Sequence, residues 1–312
     1  MNNLKKHNDL SVSIITPSYQ QAPFIRETIE SVLVQECSGL EYIVLDGGST
    51  DGTIGILKEY SGRITWFSET DRGQADAVNK GFRIAAGEIL GWLNSDDEYT
   101  HNALPRVLDV FAEHPEIVMI YGNALYTDSA GKPTRPYPVE KFDLSHLAET
   151  CFICQPAVFF RREVFDTIGP LDINLQTVMD YDYWIRIGKQ YGQDRIFYLT
   201  GEALATSRMH NTNKSTTMKE TSYNESMAVV ERHFGMIPVS WTCRYLNEIA
   251  VSGRMARFSG YPLALRAFIR IAYITFSYGF LWGMRSLVLS TREFMNLISL
   301  RLSRILGRRW YS

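Results

Sequence analysis

The residues best able to do chemistry in this 312-residue chain are acids and small polar residues standing directly behind short apolar runs. Leu93-Asn94-Ser95-Asp96-Asp97 ends in two adjacent carboxylates. In that position they can hold one hard cation together with a ribose, and such a cation takes oxygens from both phosphates of a nucleoside diphosphate. The same residues also favour a turn capping a helix that starts near Thr100, and taken alone the two readings weigh equally. Asp46-Gly47-Gly48-Ser49-Thr50-Asp51-Gly52-Thr53 is the second such segment. An Asp at a strand end can accept from a base N–H while the glycines let backbone approach a ligand closely, and a turn plus cap is again the equal alternative. Pro17-Ser18-Tyr19 and Glu69-Thr70-Asp71 follow two further runs. Carboxylates delivered by three strand ends to one edge repel one another unless a cation or hydrogen-bond donors sit between them, so a metal-assisted phosphate site is the economical reading. A Walker loop is excluded, because Gly-x-x-x-x-Gly-Lys-Ser/Thr occurs nowhere.

The elements that must position these residues follow from periodicity. Residues 12–16, 41–45, 64–67 and 89–93 are short strand-like runs. Between them, 23–34, 51–60 and 73–86 read as helices; the first repeats Phe24, Ile25, Ile29, Val32 and Leu33 at helical spacing, and Ser49 or Thr50 is the expected cap of the second. Strands alternating with helices imply right-handed crossovers and an α/β fold, a mostly parallel sheet flanked by helices. Ligands of such sheets bind at the carboxyl ends of the strands, where the polar segments fall. Residues 115–206 are less regular, with strand-like pieces at 117–121, 157–160 and 196–199 and one strong helix over 177–191 that contains Asp180, Asp182 and Trp184.

An apolar fraction of 45% belongs to a foldable globular chain. Residues 1–11 lack the apolar core of a secretory signal, so a cytoplasmic protein is expected. Cys37, Cys151, Cys154 and Cys243 supply one C-x-x-C, too few for a four-ligand zinc site, and are expected to be reduced and structural. Residues 253–312 hold ten Arg against the single acid Glu293, a net of +9 in a chain whose total is −2. The longest uncharged stretch there, 271–284, is 14 residues, whereas a spanning helix needs about 20. With Phe276, Tyr278, Phe280 and Trp282 it suits the surface of an anionic membrane; a helical subdomain packed on the rest is the alternative. Nucleic acid is not an expected partner, since the basic residues are spread among core-like aromatics.

Taken in order, the motifs resemble glycosyltransferase family 2, whose catalytic domain has the fold called GT-A. The matching stretches are Ser13-Ile-Ile-Thr-Pro-Ser-Tyr-Gln20, Tyr42-Ile-Val-Leu-Asp-Gly-Gly-Ser-Thr-Asp-Gly-Thr53, Ser68-Glu-Thr-Asp-Arg-Gly-Gln-Ala-Asp-Ala-Val-Asn-Lys-Gly81 and Gly87-Glu-Ile-Leu-Gly-Trp-Leu-Asn-Ser-Asp-Asp97. Gln155-Pro-Ala-Val-Phe-Phe-Arg-Arg162, Ile168-Gly-Pro-Leu-Asp172 and Met179-Asp-Tyr-Asp-Tyr-Trp184 continue it, over roughly residues 11–215. The chain is most similar to members that build bacterial surface polysaccharides of the colanic acid and O-antigen kind.

The resemblance implies a GT-A-like catalytic domain over residues 1–215; by its composition, the rest reads as a helical, basic, membrane-associating extension over 216–312. It implies an inverting transfer from a nucleoside diphosphate sugar, UDP being the commonest nucleotide, to a saccharide or lipid-linked saccharide, with Mn²⁺ or Mg²⁺ as cofactor; the polar start and the basic tail place this at the cytoplasmic face of the inner membrane. Asp46 would pair with the base, Pro17, Ser18 and Tyr19 would line the nucleotide pocket, and Asp71 and Arg72 would lie close by. Asp96 and Asp97 would be the metal motif, although Asn94 departs from the usual Asp-x-Asp. Asp180 matches the catalytic base, with Met179 replacing a Glu; Asp182, about 200° round the helix, is its backup. His210 would be a third metal ligand, Arg208 would neutralise phosphate, and 212–219 would form a mobile flap. Two rival readings are a sugar nucleotidyltransferase, which needs a basic Gly-rich loop that Pro17-Ser-Tyr-Gln20 does not supply, and a nucleotide-sugar binding module without activity.

Overall fold

The computed structural model describes residues 10–35, 37–242 and 244–245. The chain divides into two compact units, residues 1–225 and 226–312, and every candidate site residue lies in the first.

The alternating half of the sequence forms β1 (Val12–Ser18), α1 (Ile25–Leu33), β2 (Leu40–Asp46), α2 (Thr53–Glu59), β3 (Thr65–Ser68), α3 (Gln74–Ile84) and β4 (Ile89–Trp92). β1 lies parallel between β2 and β4 and is buried along its whole length. A strand covered on both faces needs an apolar, β-branched run rather than alternation, which its sequence supplies. α1 buries Ile25, Ile29 and Val32, one face at spacings of four and three. Gly81 lets α3 seat directly on β1, since a Cβ there would stand 2.5 Å from Ile15 Cγ2. The expected cap of α2 is corrected: neither Ser49 nor Thr50 serves. Asp51 Oδ1 accepts from the Thr53 N–H at 3.1 Å and from its hydroxyl at 2.6 Å, and Gly52, at φ +106°, turns the chain into the helix.

The second half forms β5 (Glu98–Tyr99), α4 (Ala103–Glu113), β6 (Met119–Gly122), β7 (Ala124–Thr127), β8 (Pro133–Pro136), α5 (Leu144–Glu149), β9 (Val158–Arg161), α6 (Arg162–Ile168), α7 (Met179–Tyr191), β10 (Ile196–Leu199), β11 (Ala205–Arg208), α8 (Lys214–Thr217) and α9 (Lys219–Phe234). The main sheet runs β10-β6-β9-β4-β1-β2-β3, with β9 antiparallel to both neighbours. A second sheet, β5-β11-β7-β8, was not anticipated. Its strands have two to four residues and β8 begins and ends in proline, so they offer no alternation to read.

This order positions the site. The chain runs outward from β1 through β2 and β3, then returns to the opposite side of β1 as β4, and a crevice opens at the carboxyl ends where the direction reverses. β11 pairs with β5, Thr206 opposite Glu98, which carries residues 207–210 to the turn after β4. No helix among the described residues is long and apolar enough to cross a membrane. The expected membrane contact falls on residues 253–312, outside the described residues.

Candidate active site

Behind β4 the chain makes the turn that its residues favour, with the Asp97 N–H donating to Asn94 O at 3.1 Å. The two carboxylates of the turn then part. Asp97 is only 4% exposed; its Oδ1 accepts from the Arg208 N–H at 2.9 Å and its Oδ2 from the Asn94 amide at 3.3 Å. Burial, and then the charge of Asp96, hold its carboxyl well above the ordinary range. Asp96 turns the other way, its Oδ2 lying 2.9 Å from His210 Nε2 and 3.1 Å from the Asn213 amide. These contacts tie Asp97 into the turn and to β11.

Arg208, at the end of β11, is buried beside the same turn. Its guanidinium is 2% exposed, ion-paired to Glu27 at 2.5 Å and to Glu98, and donates to Asp96 O at 3.1 Å and Ser129 O at 3.2 Å. It lies over the Phe24 ring at 5.2 Å. Together these contacts clamp β11 to the turn behind β4.

Among the described residues no group of three or more His, Cys, Asp or Glu is arranged to hold a metal. Asp96 and His210 nonetheless fit a divalent ion as a pair. Their 2.9 Å separation is near that of neighbouring ligands on an ion with bonds of about 2.1 Å. His210 Nδ1 lies 2.8 Å from Thr212 Oγ1, an acceptor for the tautomer that frees Nε2 for a metal. Mg²⁺-type sites commonly take one or two protein ligands and complete their shell from phosphates and water.

At the end of β2, Asp46 is 2% exposed and is spent on its own turn. Its Oδ2 accepts from the Gly48 N–H at 3.1 Å, the Ser49 N–H at 2.9 Å and Ser68 Oγ at 2.6 Å, and its Oδ1 from Ser49 Oγ at 2.5 Å. Parallel register puts Ser18, Asp46 and Ser68 in one row across β1, β2 and β3. Pro17 and Ser18 are the buried end of β1, while Tyr19 just beyond is 60% exposed. Asp71 Oδ1 accepts from the Gly73 N–H at 2.8 Å, and Arg72 pairs with Asp76 at 3.3 Å.

Asp180 stands in the first turn of α7, where the helix dipole favours a carboxylate. Its Oδ1 accepts from the Tyr181 N–H at 2.8 Å, but burial outweighs that bond and pushes the carboxyl up to about 6. Asp182 is 2% exposed and paired with Arg186 at 2.9 Å, whose guanidinium also holds the carbonyls of Ile168 and Pro170. That network fixes Asp182 to the segment between α6 and α7. The segment entering α7 is tied down by Glu225, which accepts from the N–H groups of Gln176 and Thr177 at 2.8 and 2.9 Å.

Sequence reasoning missed two parts of this site. Asn94 Oδ1 accepts from Trp92 Nε1 at 2.9 Å and Gln74 Nε2 at 2.7 Å, and its amide donates to Gln155 Oε1 at 3.0 Å, so an amide network braces the turn. Lys214, in the expected flap, donates to Gln74 Oε1 at 3.0 Å and Gln176 O at 3.3 Å, linking the α3 entry to the α7 entry. Burial lowers its pKa, while Asp71, Glu225 and Asp96 act against that. The Ser/Thr/Lys composition of 212–219 was the only signal for it.

The family model described as "Glycosyl transferase family 2" matches residues 13–169. A "PGL/p-HBAD biosynthesis glycosyltransferase" of Mycobacterium bovis is 31% identical over 231 residues, 71% of this chain and 81% of the relative. Among solved structures, S. aureus TarS 1–349 in complex with UDP-GlcNAc aligns with a TM-score of 0.58 at 18% identity, over 72% of this chain and 66% of that one. Glucosyl-3-phosphoglycerate synthase from Mycobacterium tuberculosis, in complex with Mn²⁺, UDP and glucosyl-3-phosphoglycerate, aligns with a TM-score of 0.54 at 17% identity, over 74% and 83%. The sheet order, the crevice where it reverses and these matches agree on a GT-A-like fold, and the chain belongs to glycosyltransferase family 2.

Proposed function

We propose that the chain transfers a sugar from a nucleoside diphosphate sugar, UDP-linked in the first instance, to a hydroxyl of a saccharide or lipid-linked saccharide, with inversion, in the building of a cell-surface glycan. The observation that carries the mechanism is the place of Asp180 in the first turn of α7, where it accepts from the Tyr181 N–H at 2.8 Å and where burial pushes its carboxyl up to about 6. Such a group is ionised at neutral pH and remains basic enough to take a proton in the transition state. The acceptor oxygen forms a bond to the anomeric carbon as the bond to the diphosphate oxygen breaks, and the hydroxyl proton passes to Asp180. A divalent ion held by Asp96 and His210 would neutralise charge on the diphosphate when bound. Lys214 stands ready to add to that, because its two hydrogen-bond partners are neutral oxygens. Arg208 and Asp97 keep Asp96 and His210 in place.

The relatives support the donor class, being described with UDP-GlcNAc or with UDP and Mn²⁺. The basic extension over 216–312 supports a lipid surface as the place of work. The test is product stereochemistry together with Asp180→Asn. Inversion at the anomeric carbon by NMR and a loss of turnover of about 10²–10⁴ are expected. Retention, or turnover within a few-fold of wild type, overturns the mechanism.

A further inference from the structure

We propose that Asp71, and not Asp46, is the carboxylate that reads the nucleobase, and that it restricts the donor to bases presenting an imino N–H. The proposal rests on the nucleotide-sugar reading of the cleft given above.

Asp46 has nothing left to offer. A carboxylate has about four acceptor directions, and Asp46 already takes four bonds from Gly48, Ser49 and Ser68 while only 2% exposed. Asp71 divides its two oxygens. Oδ1 accepts from the Gly73 N–H at 2.8 Å, which fixes the loop between β3 and α3. Oδ2 lies 2.9 Å from the point that a Cβ on Gly47 would occupy, and Tyr19 Cδ2 lies 3.3 Å from that same point. The missing side chain at position 47 is what lets a carboxylate oxygen from the next loop reach the end of β2 and stand beside the Tyr19 ring, which is 60% exposed. On the neighbouring strand end, in register with Asp46, Ser18 Oγ is buried and has no hydrogen-bond partner among the described residues, a polar atom still to be satisfied.

An exposed aromatic ring beside a fixed acceptor is suited to a flat heterocycle with an acidic N–H in its plane: the ring stacks on Tyr19 and the N–H donates to Asp71 Oδ2. Uracil and thymine offer N3–H, and guanine offers N1–H with its amino group alongside. Cytosine N3 and adenine N1 carry lone pairs, which would face the carboxylate without a proton between them. A hydrogen bond to a charged group contributes about 1.5–3 kcal/mol, or roughly a 10- to 100-fold preference for UDP over CDP.

The experiment is calorimetric titration of the full chain with UDP, GDP, CDP and ADP in Mn²⁺, for wild type, Asp71→Asn, Gly47→Ala and Asp46→Asn. Wild type is expected to bind UDP and GDP at least about tenfold more tightly than CDP and ADP. In Asp71→Asn the amide can turn its NH₂ toward cytosine N3, so the UDP:CDP ratio should collapse to within about threefold or reverse. Asp46→Asn should lower thermal stability and leave that ratio as in wild type. An unchanged ratio in Asp71→Asn, or a ratio that collapses in Asp46→Asn instead, overturns the assignment while leaving the nucleotide-sugar reading intact. Failure of wild type to bind any of the four overturns both. If Asp71→Asn does not fold, Gly47→Ala decides: its methyl group displaces the Asp71 oxygen, so the ratio collapses if the proposal is right and persists if it is wrong.

Discussion

Asp180 and Asp182 sit two positions apart on α7, yet one carboxyl is half-buried and accepts from the Tyr181 N–H, while the other is buried and ion-paired to Arg186. Folding raises the Asp180 carboxyl from 3.8 to about 6, so the folded state holds that proton more tightly than the unfolded chain. Below about pH 4 both states are protonated and nothing is lost; between about 4 and 6 stability falls as pH rises; above about 6 the whole cost of the buried charge remains. Asp180→Asn should therefore be about as stable as wild type at pH 4 and more stable, by on the order of 1–3 kcal/mol, at pH 7.5. Urea denaturation at the two pH values checks this, and a variant less stable at pH 7.5 contradicts it. In wild type, kcat/KM should decline as pH falls through about 6, because the base is lost on protonation. The adjacent acids Asp96 and Asp97 were legible as part of a turn behind β4, but not which of the two is buried. That is decided by the Arg208 N–H bonding Asp97 from 111 residues away along the chain, and no local pattern encodes it.

Among the elements, the parallel half was legible because β1 and β2 bury long apolar runs and α1 and α3 carry clear helical faces. The second sheet was not, since two-residue β5 and proline-bounded β8 carry no pattern of their own and are strands only through their pairing with β11 and β7. The position of α7 depends on a similar long-range contact. Glu225 accepts from both N–H groups and, at 2.7 Å, the Thr177 hydroxyl just before that helix, fixing the turn that presents Asp180. Glu225→Ala is expected to lower kcat by about tenfold with donor affinity nearly unchanged, since a misplaced base slows the chemistry without removing donor contacts. Steady-state kinetics with a separate binding assay checks this; unchanged kcat with weakened donor binding contradicts it.

Across the whole chain, charge is divided unevenly: residues 253–312 carry +9, leaving −11 for the remainder. Each basic residue near an anionic leaflet contributes roughly 1 kcal/mol, and the attraction is screened by salt. The full chain should therefore sediment with anionic vesicles at low salt and less so as salt rises, and a chain lacking residues after Gly253 should stay in the supernatant. A full-length protein that ignores such vesicles at low salt contradicts the membrane reading. The central claim, a metal-assisted nucleotide site built on Asp96 and His210 with Asp97 as its support, has a more direct measurement. Titration of UDP with and without Mn²⁺ should show metal-dependent binding by wild type and by Asp97→Asn, whose carbonyl oxygen still accepts from the Arg208 N–H. Asp96→Ala should abolish the metal dependence. Binding that is indifferent to Mn²⁺, or that survives Asp96→Ala and is lost in a folded Asp97→Asn, would contradict the account.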